Sequence, residues 1–468
     1  MRCQNGRVEK TEPADVVVIG AGAAGAVLAA RLSEDPGRVV LVLEAGPLEQ
    51  DPGLLDARRV PGAQPGHPAT VDYPVNLMPG RPWIVPRGRI LGGSTTVNGG
   101  YFIRARHADF TRWAEPAWAY DRVLPLMRRL ESGPMPIRHA RLEHPAAVAF
   151  QRAAAALGFP AEPDKNQQGA PGFGPVPCNV VAGIRRNAGL AYLPAEVRAR
   201  PNLTVLGGCR ATRILTGSGR VTGVLTAHGT VAAGSVVLSA GAFATAQLLL
   251  LSGIGPRDDL ERLGIPVVRD APGVGAGFSD HPHVVLPWDM PADPGGSWLG
   301  GCLHLNSSDA AGGPGNLEIL QSLDPPAFLV ADQTPSRTGT LRLRSSDPDQ
   351  PPVIDYGYLG TPASRRRLRE AVRVTAEIAG ARLRGPAPAT LRDDRALDEW
   401  IRAHLGTAQH TCGTAPMGPV ADQYGRVHGV DGLRLADTSL LPDAPMRGPA
   451  ATAVLIGELI ADAVRRDW

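Results

Sequence analysis

Gly20, Gly22 and Gly25 fall in the run Gly20-Ala21-Gly22-Ala23-Ala24-Gly25, and Glu44 follows about twenty residues on. Glycines at this spacing can hold a pyrophosphate. Gly20 permits a tight turn, Gly22 lets the backbone approach the phosphates, and Gly25 lets helix and strand pack closely. The phosphate charge then meets the unpaired N–H groups of a helix start. Glu44 can accept hydrogen bonds from ribose hydroxyls, and its charge would repel a 2′-phosphate, which disfavours NADP. The motif points to an adenine dinucleotide; NAD and FAD both stay open on these residues. A second cluster, Leu91-Gly92-Gly93-Ser94-Thr95-Thr96-Val97-Asn98, offers close-set N–H donors that could hold an anion or a polar ring edge, and reads equally as a structural turn. Near the other end His410 stands among small residues in Ala408-Gln409-His410-Thr411-Cys412-Gly413. On residue type alone it is a structural loop histidine before it is a base.

The elements that must position these groups are legible in outline. Val16, Val17, Val18 and Ile19 lead into Gly20 as a buried parallel strand should, 26–32 predicts a helix, and 39–43 a second buried strand. Together they form a βαβ unit of about thirty residues. Further on, 202–206 and 221–227 predict strands, with a turn at Gly217-Ser218-Gly219 between them. The segment 231–239 runs as a strand into Ala240-Gly241-Ala242 and a helix over 245–252, a return to the first sheet with Ala240 facing the same ligand. Leu433-Arg434-Leu435-Ala436-Asp437 predicts a short strand ending in a carboxylate. The helix over 450–464 opens on Ala450, Ala451 and Thr452, which leave N–H groups free. Between these, 48–78 reads as a long excursion without periodicity, 109–130 and 138–158 as helices, and 160–182 as a Pro/Gly loop. The stretch 295–315 is glycine-rich and poor in β-formers, 339–344 reads as a strand, and 363–381 as an Arg-studded helix.

Composition narrows the class. A chain of 468 residues, 43% hydrophobic and 20% charged, fits a globular enzyme of two or three structural units. The net charge of +3 is carried almost wholly by Arg, with Lys only at Lys10 and Lys165. No basic cluster is interleaved with aromatics, so nucleic acid is not an expected partner. The five cysteines are odd in number and far apart, with no C-x-x-C pair, and predict neither a metal site nor a disulfide framework. Residues 1–13 lack a signal-peptide core, and runs such as 246–251 are too short to span a bilayer. The expectation is a cytoplasmic protein with no transmembrane segment; peripheral membrane contact stays open.

These islands, in this order, resemble the glucose–methanol–choline (GMC) oxidoreductases, a family of FAD-dependent alcohol-oxidising enzymes. The resemblance covers nearly the whole chain: the glycine fingerprint, 86–104, 239–256, 339–358 and the His410 loop. It implies an α/β fold with a Rossmann-like FAD-binding domain drawn from 13–110, 183–280 and 405–468. A discontinuous α+β substrate domain built on an antiparallel sheet would take 111–182 and 281–404. The resemblance implies FAD over NAD. It gives Gly20, Gly22 and Gly25 to the pyrophosphate, Glu44 with Ala45 to the adenosine ribose, and the Ala211 backbone to the adenine. Gly93, Ser94, Asn98 and Gly99 would lie against the flavin and ribityl chain. Ala240, Ala436 and Asp437 would approach the pyrophosphate and ribityl region, and Ala450 with Ala451 the pyrimidine edge of the flavin. Val97 stands where covalently flavinylated members carry a histidine, so noncovalent FAD is expected. His410 matches the family's catalytic histidine, an imidazole suited to take the hydroxyl proton while hydride goes to flavin N5. His281 and His283, in Asp280-His281-Pro282-His283, read as domain-junction residues.

Two departures shape the functional expectation. The family's second active-site residue, a His or Asn, aligns with Pro449, which has no side-chain hydrogen bond to give; Asn98 or Arg447 could assist instead. The segment between His281 and Gly339 is also short, which implies an open site for a bulky substrate or a redox partner. With Asn98-Gly99-Gly100-Tyr101-Phe102, Gly172-Phe173-Gly174-Pro175-Val176-Pro177 and Ser279-Asp280-His281-Pro282, these departures are most similar to the mycofactocin-associated branch. That branch implies hydride transfer from reduced mycofactocin, a peptide-derived redox cofactor, with electrons passed on to an acceptor or the respiratory chain. The alternatives are a choline- or alcohol-type enzyme with a small substrate, a hydroxynitrile lyase that keeps FAD as structure, and a flavin-binding protein without turnover.

Overall fold

The computed structural model describes residues 3–4, 7–8, 14–293 and 295–467. Its first layer is a five-stranded parallel sheet in the order Leu203–Leu206, Val40–Leu43, Val16–Ile19, Val236–Leu238, Leu433–Leu435. Val16, Val17, Val18, Val40 and Val42 are wholly buried, as strands covered on both faces must be. The ladder continues one residue past the strands: Gly20 N–H donates to Leu43 O, Glu44 N–H to Leu206 O, Ser239 N–H to Ile19 O and Ala436 N–H to Leu238 O. Gly20, Glu44, Ser239 and Ala436 are thereby aligned along one edge, the carboxyl ends of the strands, where open α/β sheets bind ligands.

Helix Ala23–Leu32 packs on this sheet, and helix Ala450–Arg466 packs on that helix. Their approach is so close that a Cβ on Gly457 would lie 2.6 Å from Val27 Cβ and 2.7 Å from Ala24 O. A three-stranded antiparallel sheet, Ala211–Gly217, Arg220–Thr226 and Gly229–Ala232, lies beside it in sequence.

The second layer is a six-stranded antiparallel sheet in the order Gly406–Thr407, Pro282–Pro287, Pro326–Asp332, Leu317–Leu323, Leu299–Leu305, Phe173–Pro175. Helix Pro362–Ala379 packs on its central strands, and Phe150 of helix Pro145–Ala156 stacks edge-on against Phe173 and Phe328. A five-stranded sheet joins the hairpin Thr70–Met78/Arg81–Gly88 to Val353–Asp355, Gly339–Arg342 and Ala276–Phe278.

Several elements differ from the sequence reading, each for a physical reason. Residues 70–78 are a nine-residue strand, not part of a loop: Tyr73, Val75 and Leu77 point inward, with Pro74 and Asn76 exposed between them. Strand Leu299–Leu305 crosses the stretch that is glycine-rich and poor in β-formers. Its Gly301 has no side chain because the Phe173 ring lies where one would be, 2.5 Å from an added Cβ. The helical stretch 109–130 is broken at Ala114, whose φ of 57° ends helix His107–Trp113 before Tyr120–Ser132 begins. The helix expected over 138–158 starts only at Pro145, with His144 capping it. Strand Ala211–Gly217, missed between 202–206 and 221–227, supplies the first half of the hairpin turned at Ser218-Gly219.

Candidate functional site

The three fingerprint glycines answer to different neighbours. Gly20 has φ +97° and a Cβ there would lie 2.5 Å from Ser239 O; on Gly25 it would lie 1.9 Å from Gly20 O. Both positions are closed by the protein itself. A Cβ on Gly22 would meet only Gly93 Cα at 3.8 Å and Ser239 O at 3.9 Å. Nothing in the chain requires a glycine there, and it caps a helix with no side-chain bond to the free N–H groups. This is the space that a pyrophosphate on the helix N-terminus would use, so the residues fit the dinucleotide the motif implies. Gly22→Val is expected to leave the fold intact and lower FAD affinity by a factor on the order of a hundred, whereas Gly25→Val should abolish folding. FAD titration followed by fluorescence, beside circular dichroism of both variants, checks the contrast.

Glu44, Gly93, Ala240 and Asp437 lie at the same edge, and the other predicted residues have partners of their own. Glu44 is buried, with Oε2 accepting from Ala21 N–H and Oε1 from Gly46 N–H, both at 2.8 Å. Burial pushes its carboxyl upward, and the backbone donors oppose that. Ala45 beside it is exposed. Cys209 N–H donates to Glu44 O, which brings the chain from that edge into Ala211. The second glycine cluster lies directly on the first: Gly92 N–H donates to Ala21 O at 2.8 Å, and a Cβ on Gly93 would come 2.9 Å from Gly22 Cα. Ser94 is exposed and accepts from Gly88 N–H. Asn98 accepts from Gly100 N–H, while Gly99 packs under Trp298, whose Nε1 donates to its carbonyl. Ala240 follows Ser239 at the same strand end. Asp437 is a brace: Oδ2 accepts from Gly241 N–H and Thr245 Oγ1, and Oδ1 from Ser439 N–H. Ala450 and Ala451 open the last helix behind Pro449, which contributes no side-chain cap.

His410 is held by its backbone. Its N–H donates to Asp280 Oδ1 at 2.9 Å, the Gln409 carbonyl accepts from Arg87 Nη1, and Thr411 Oγ1 donates to Asp280 Oδ2. Of the ring's two nitrogens, Nδ1 lies 2.9 Å from Nδ1 of His281, with the rings edge-on at 83°. The Nε2 edge faces Gly448: a Cβ there would lie 3.4 Å from Nε2. Burial and the Arg87 guanidinium push His410 down to about 3, and burial with the His410 charge takes His283 to about 4. His281 is likewise held well below its ordinary value, by burial first and then by His410, Arg447 and Arg112.

The Asp280-His281-Pro282-His283 motif, read from sequence as a junction, therefore supplies both the carboxylate that fixes the His410 loop and the ring that touches His410. Asn98 is turned to its own loop, and Arg447 is buried with its guanidinium donating to the carbonyls of Pro314, Gly315 and Met446.

The sequence predicts no metal ligands, yet the structure brings Cys302 Sγ, His304 Nε2 and Glu318 Oε2 within 4.8 Å of one another, all buried. Their protons can be placed without an ion. Lys165 Nζ donates to Glu162 Oε2, Gly172 O and His304 Nδ1, so Nε2 of His304 carries the hydrogen and donates to Glu318 Oε2 at 3.0 Å. Tyr101 OH completes Glu318 Oε2, Gln333 bonds Oε1, and burial leaves the Cys302 thiol protonated, pushed up to about 12.

A glycine cradle on a parallel sheet is thus joined to an antiparallel sheet through a loop that presents a histidine kept neutral by burial. The GMC oxidoreductase family matches residues 14–283 with its amino-terminal part and 335–457 with its carboxyl-terminal part. The chain belongs to this family, whose members are FAD-dependent and act on alcohol-type substrates. It is 36% identical to an uncharacterized GMC-type oxidoreductase of Rhodococcus erythropolis, over 95% of this chain and 97% of that one. It is 33% identical to an oxygen-dependent choline dehydrogenase of Rhizobium rhizogenes, over 96% and 95%. Among solved structures, pyridoxine 4-oxidase from Mesorbium loti superposes with a TM-score of 0.90 at 29% identity, covering 97% of this chain and 99% of that one. Formate oxidase shares the fold, at a TM-score of 0.87 and 22% identity over 98% of this chain and 99% of that one. No helix among the described residues is long and apolar enough to cross a membrane.

Proposed function

We propose that this chain is an FAD-dependent dehydrogenase in which His410 takes the hydroxyl proton of an alcohol-type donor, reduced mycofactocin, and that the electrons pass on to an acceptor. The observation that carries the assignment of the base is the Nε2 edge of His410, turned to Gly448 and the open start of the last helix while Nδ1 is occupied. FAD, when bound, supplies the two-electron acceptor for the hydride. Gly22, Gly93 and the first N–H groups of Ala23–Leu32 would hold its pyrophosphate, with the Ala240 and Asp437 turns alongside. Ala45 and Glu44 would meet the adenosine ribose, Ala211 the adenine, and Ala450 with Ala451 the flavin's pyrimidine edge. Val97 lies in a small apolar cluster with Leu54, Ala69 and Ile90 and offers no nucleophile, which supports noncovalent binding. On this reading the cofactor takes 13–110, 183–280 and 405–468, and the substrate 111–182 and 281–404.

A bulky, peptide-derived donor is favoured by the chain's economy. Alignment with the choline dehydrogenase runs over 529 positions, against 468 residues here, so that relative carries segments this chain lacks. The competing reading, a small alcohol such as the relatives' names suggest, rests on those names. Anaerobic bleaching of the flavin separates the two: reduced mycofactocin should bleach it faster than choline, pyridoxine or simple alcohols. Bleaching by the small alcohols alone would overturn the assignment of the donor, and no bleaching by any reductant would favour a lyase-type role.

The pH dependence follows from the lowered basicity of His410. Its neutral form, the one able to accept a proton, persists as pH falls through 6.5 and is lost only towards about 3. The rate constant for flavin reduction should therefore show no acid limb between pH 8 and 5, as stopped-flow traces across that range would reveal. The sign for stability is the opposite. An unfolded histidine takes up a proton below about 6.5 that the buried ring refuses, so this residue's contribution to stability is present above that value and lost as pH falls.

A further inference from the structure

We propose that His281 is a positioning residue for His410: its Nδ1 accepts a hydrogen bond from His410 Nδ1–H, fixing the tautomer that leaves His410 Nε2 free to take the substrate's proton. The inference rests on the proposed role of His410 as base and goes further, to how a base with no side-chain partner at position 449 is kept in working order.

The geometry leaves one hydrogen for two nitrogens. The Nδ1 atoms are 2.9 Å apart, and two donors or two acceptors at that distance would repel, so one ring donates and the other accepts. Both rings stand on one frame. Asp280 Oδ1 accepts from the N–H of His281 at 2.7 Å and of His410 at 2.9 Å, and Ala408 N–H donates to His281 O. His281 is wholly buried where strand Pro282–Pro287 begins, with its backbone held on both sides by that frame.

The chemistry chooses the direction. When the donor loses its hydride to FAD, the hydroxyl proton passes to His410 Nε2 and a carbonyl remains. His410 is then an imidazolium whose Nδ1–H needs an acceptor, in a place where burial and Arg87 both disfavour the charge. The only ring atom at hydrogen-bond distance from His410 Nδ1 among the described residues is Nδ1 of His281. His281 can serve only if it stays neutral with its hydrogen on Nε2. Burial keeps it neutral, and His410, Arg447 and Arg112 further oppose a positive charge, while Asp280 is engaged by two backbone amides, Thr407 and Thr411. Its Nε2 hydrogen is then a buried donor without a partner among the described residues, a cost that the pairing at Nδ1 has to offset. The arrangement does for a paired histidine what a carboxylate or carbonyl does elsewhere, setting one nitrogen by occupying the other.

The test uses the FAD-loaded enzyme with ¹⁵N-labelled histidine and is independent of turnover. His410, assigned by comparison with His410→Ala, is expected as the Nδ1–H tautomer; an Nε2–H tautomer overturns the proposal. In anaerobic stopped flow, His281→Leu should lower the rate constant for flavin reduction on the order of 10- to 100-fold with little change in KM. His281→Asn, whose Oδ1 can accept the same bond, should recover most of that loss. Equal losses in the two variants, or none in either, overturn the proposal. Should the Leu variant fail to hold FAD, the labelled wild-type spectrum still decides. Failure of the reading beneath is distinct, since there His410→Ala itself would leave flavin reduction unchanged.

Discussion

His410→Ala is expected to slow flavin reduction by a factor on the order of a hundred or more while FAD stays bound. The size follows from what the imidazole alone offers. A hydroxyl losing a hydride from its carbon must lose its proton too, and His410 Nε2 is a neutral nitrogen turned to Gly448 at the start of the last helix. Pro449 contributes no side-chain donor or acceptor, and Arg447 is a fixed cation committed to three backbone carbonyls. Retention of the cofactor follows from how the loop is held. The anchors to Asp280 and Arg87 come from the backbone of residues 409 and 410 and from Thr411, not from the ring, so truncation should leave the loop in place. Anaerobic stopped-flow spectroscopy with an alcohol donor gives the rate, and the flavin absorbance of the purified variant gives occupancy. Unchanged kinetics would place the base elsewhere; lost flavin would show the ring to be part of the cofactor's cradle.

The parts of this molecule legible in its sequence are those governed by local rules. Four consecutive β-branched residues before Gly20 can only be a doubly covered strand, and the glycine spacing after them names a turn and a helix. Such signals placed all five strands of the parallel sheet and the start of the last helix, although 231–239, read as one strand, is divided between Gly229–Ala232 of the three-stranded sheet and Val236–Leu238 of the parallel one. What escaped is set by partners distant in the chain. Gly300 and Gly301 lower the β-propensity of Leu299–Leu305, yet they lie in a strand of the six-stranded sheet because Phe173 fills the space above one of them. The meeting of His281 with His410 depends on the edge strand Gly406–Thr407 pairing with Pro282–Pro287, a contact across more than a hundred residues that no spacing reveals. The same holds for Cys302, His304 and Glu318. The first two share a face of one strand, but only the register that sets His304 opposite Glu318 makes them a cluster. A periodicity of two was there to be read at Tyr73, Val75 and Leu77, and Pro74 masked it.

Asp280→Ala is expected to cost about 3 to 5 kcal/mol of stability and to abolish activity through His410 without removing any group that would touch substrate. Asp280 is buried, and its carboxylate accepts from four donors: the N–H groups of His281 and His410 and the hydroxyls of Thr407 and Thr411. Deleting it takes the acceptor from two amides and two hydroxyls at a buried point, beside an Arg87 side chain whose charge Asp280 partly balances. Repacking cannot supply four acceptor contacts at one point, so the segment joining Gly406–Thr407 to His410 should lift from the sheet and carry the ring with it. Asp280→Asn separates the two consequences. Its Oδ1 can keep both amide bonds, and the Thr411 hydroxyl can rotate to accept from the new amide. That variant should retain most of the stability and keep His410 near its place, losing far less than the Ala variant in both urea midpoint and rate of flavin reduction. If Asn and Ala fall equally, the charge matters more than the bonds, and the loop is held by its attraction to Arg87. If neither falls, the backbone bonds of strand Gly406–Thr407 suffice, and Asp280 is not what ties the histidine loop to the sheet.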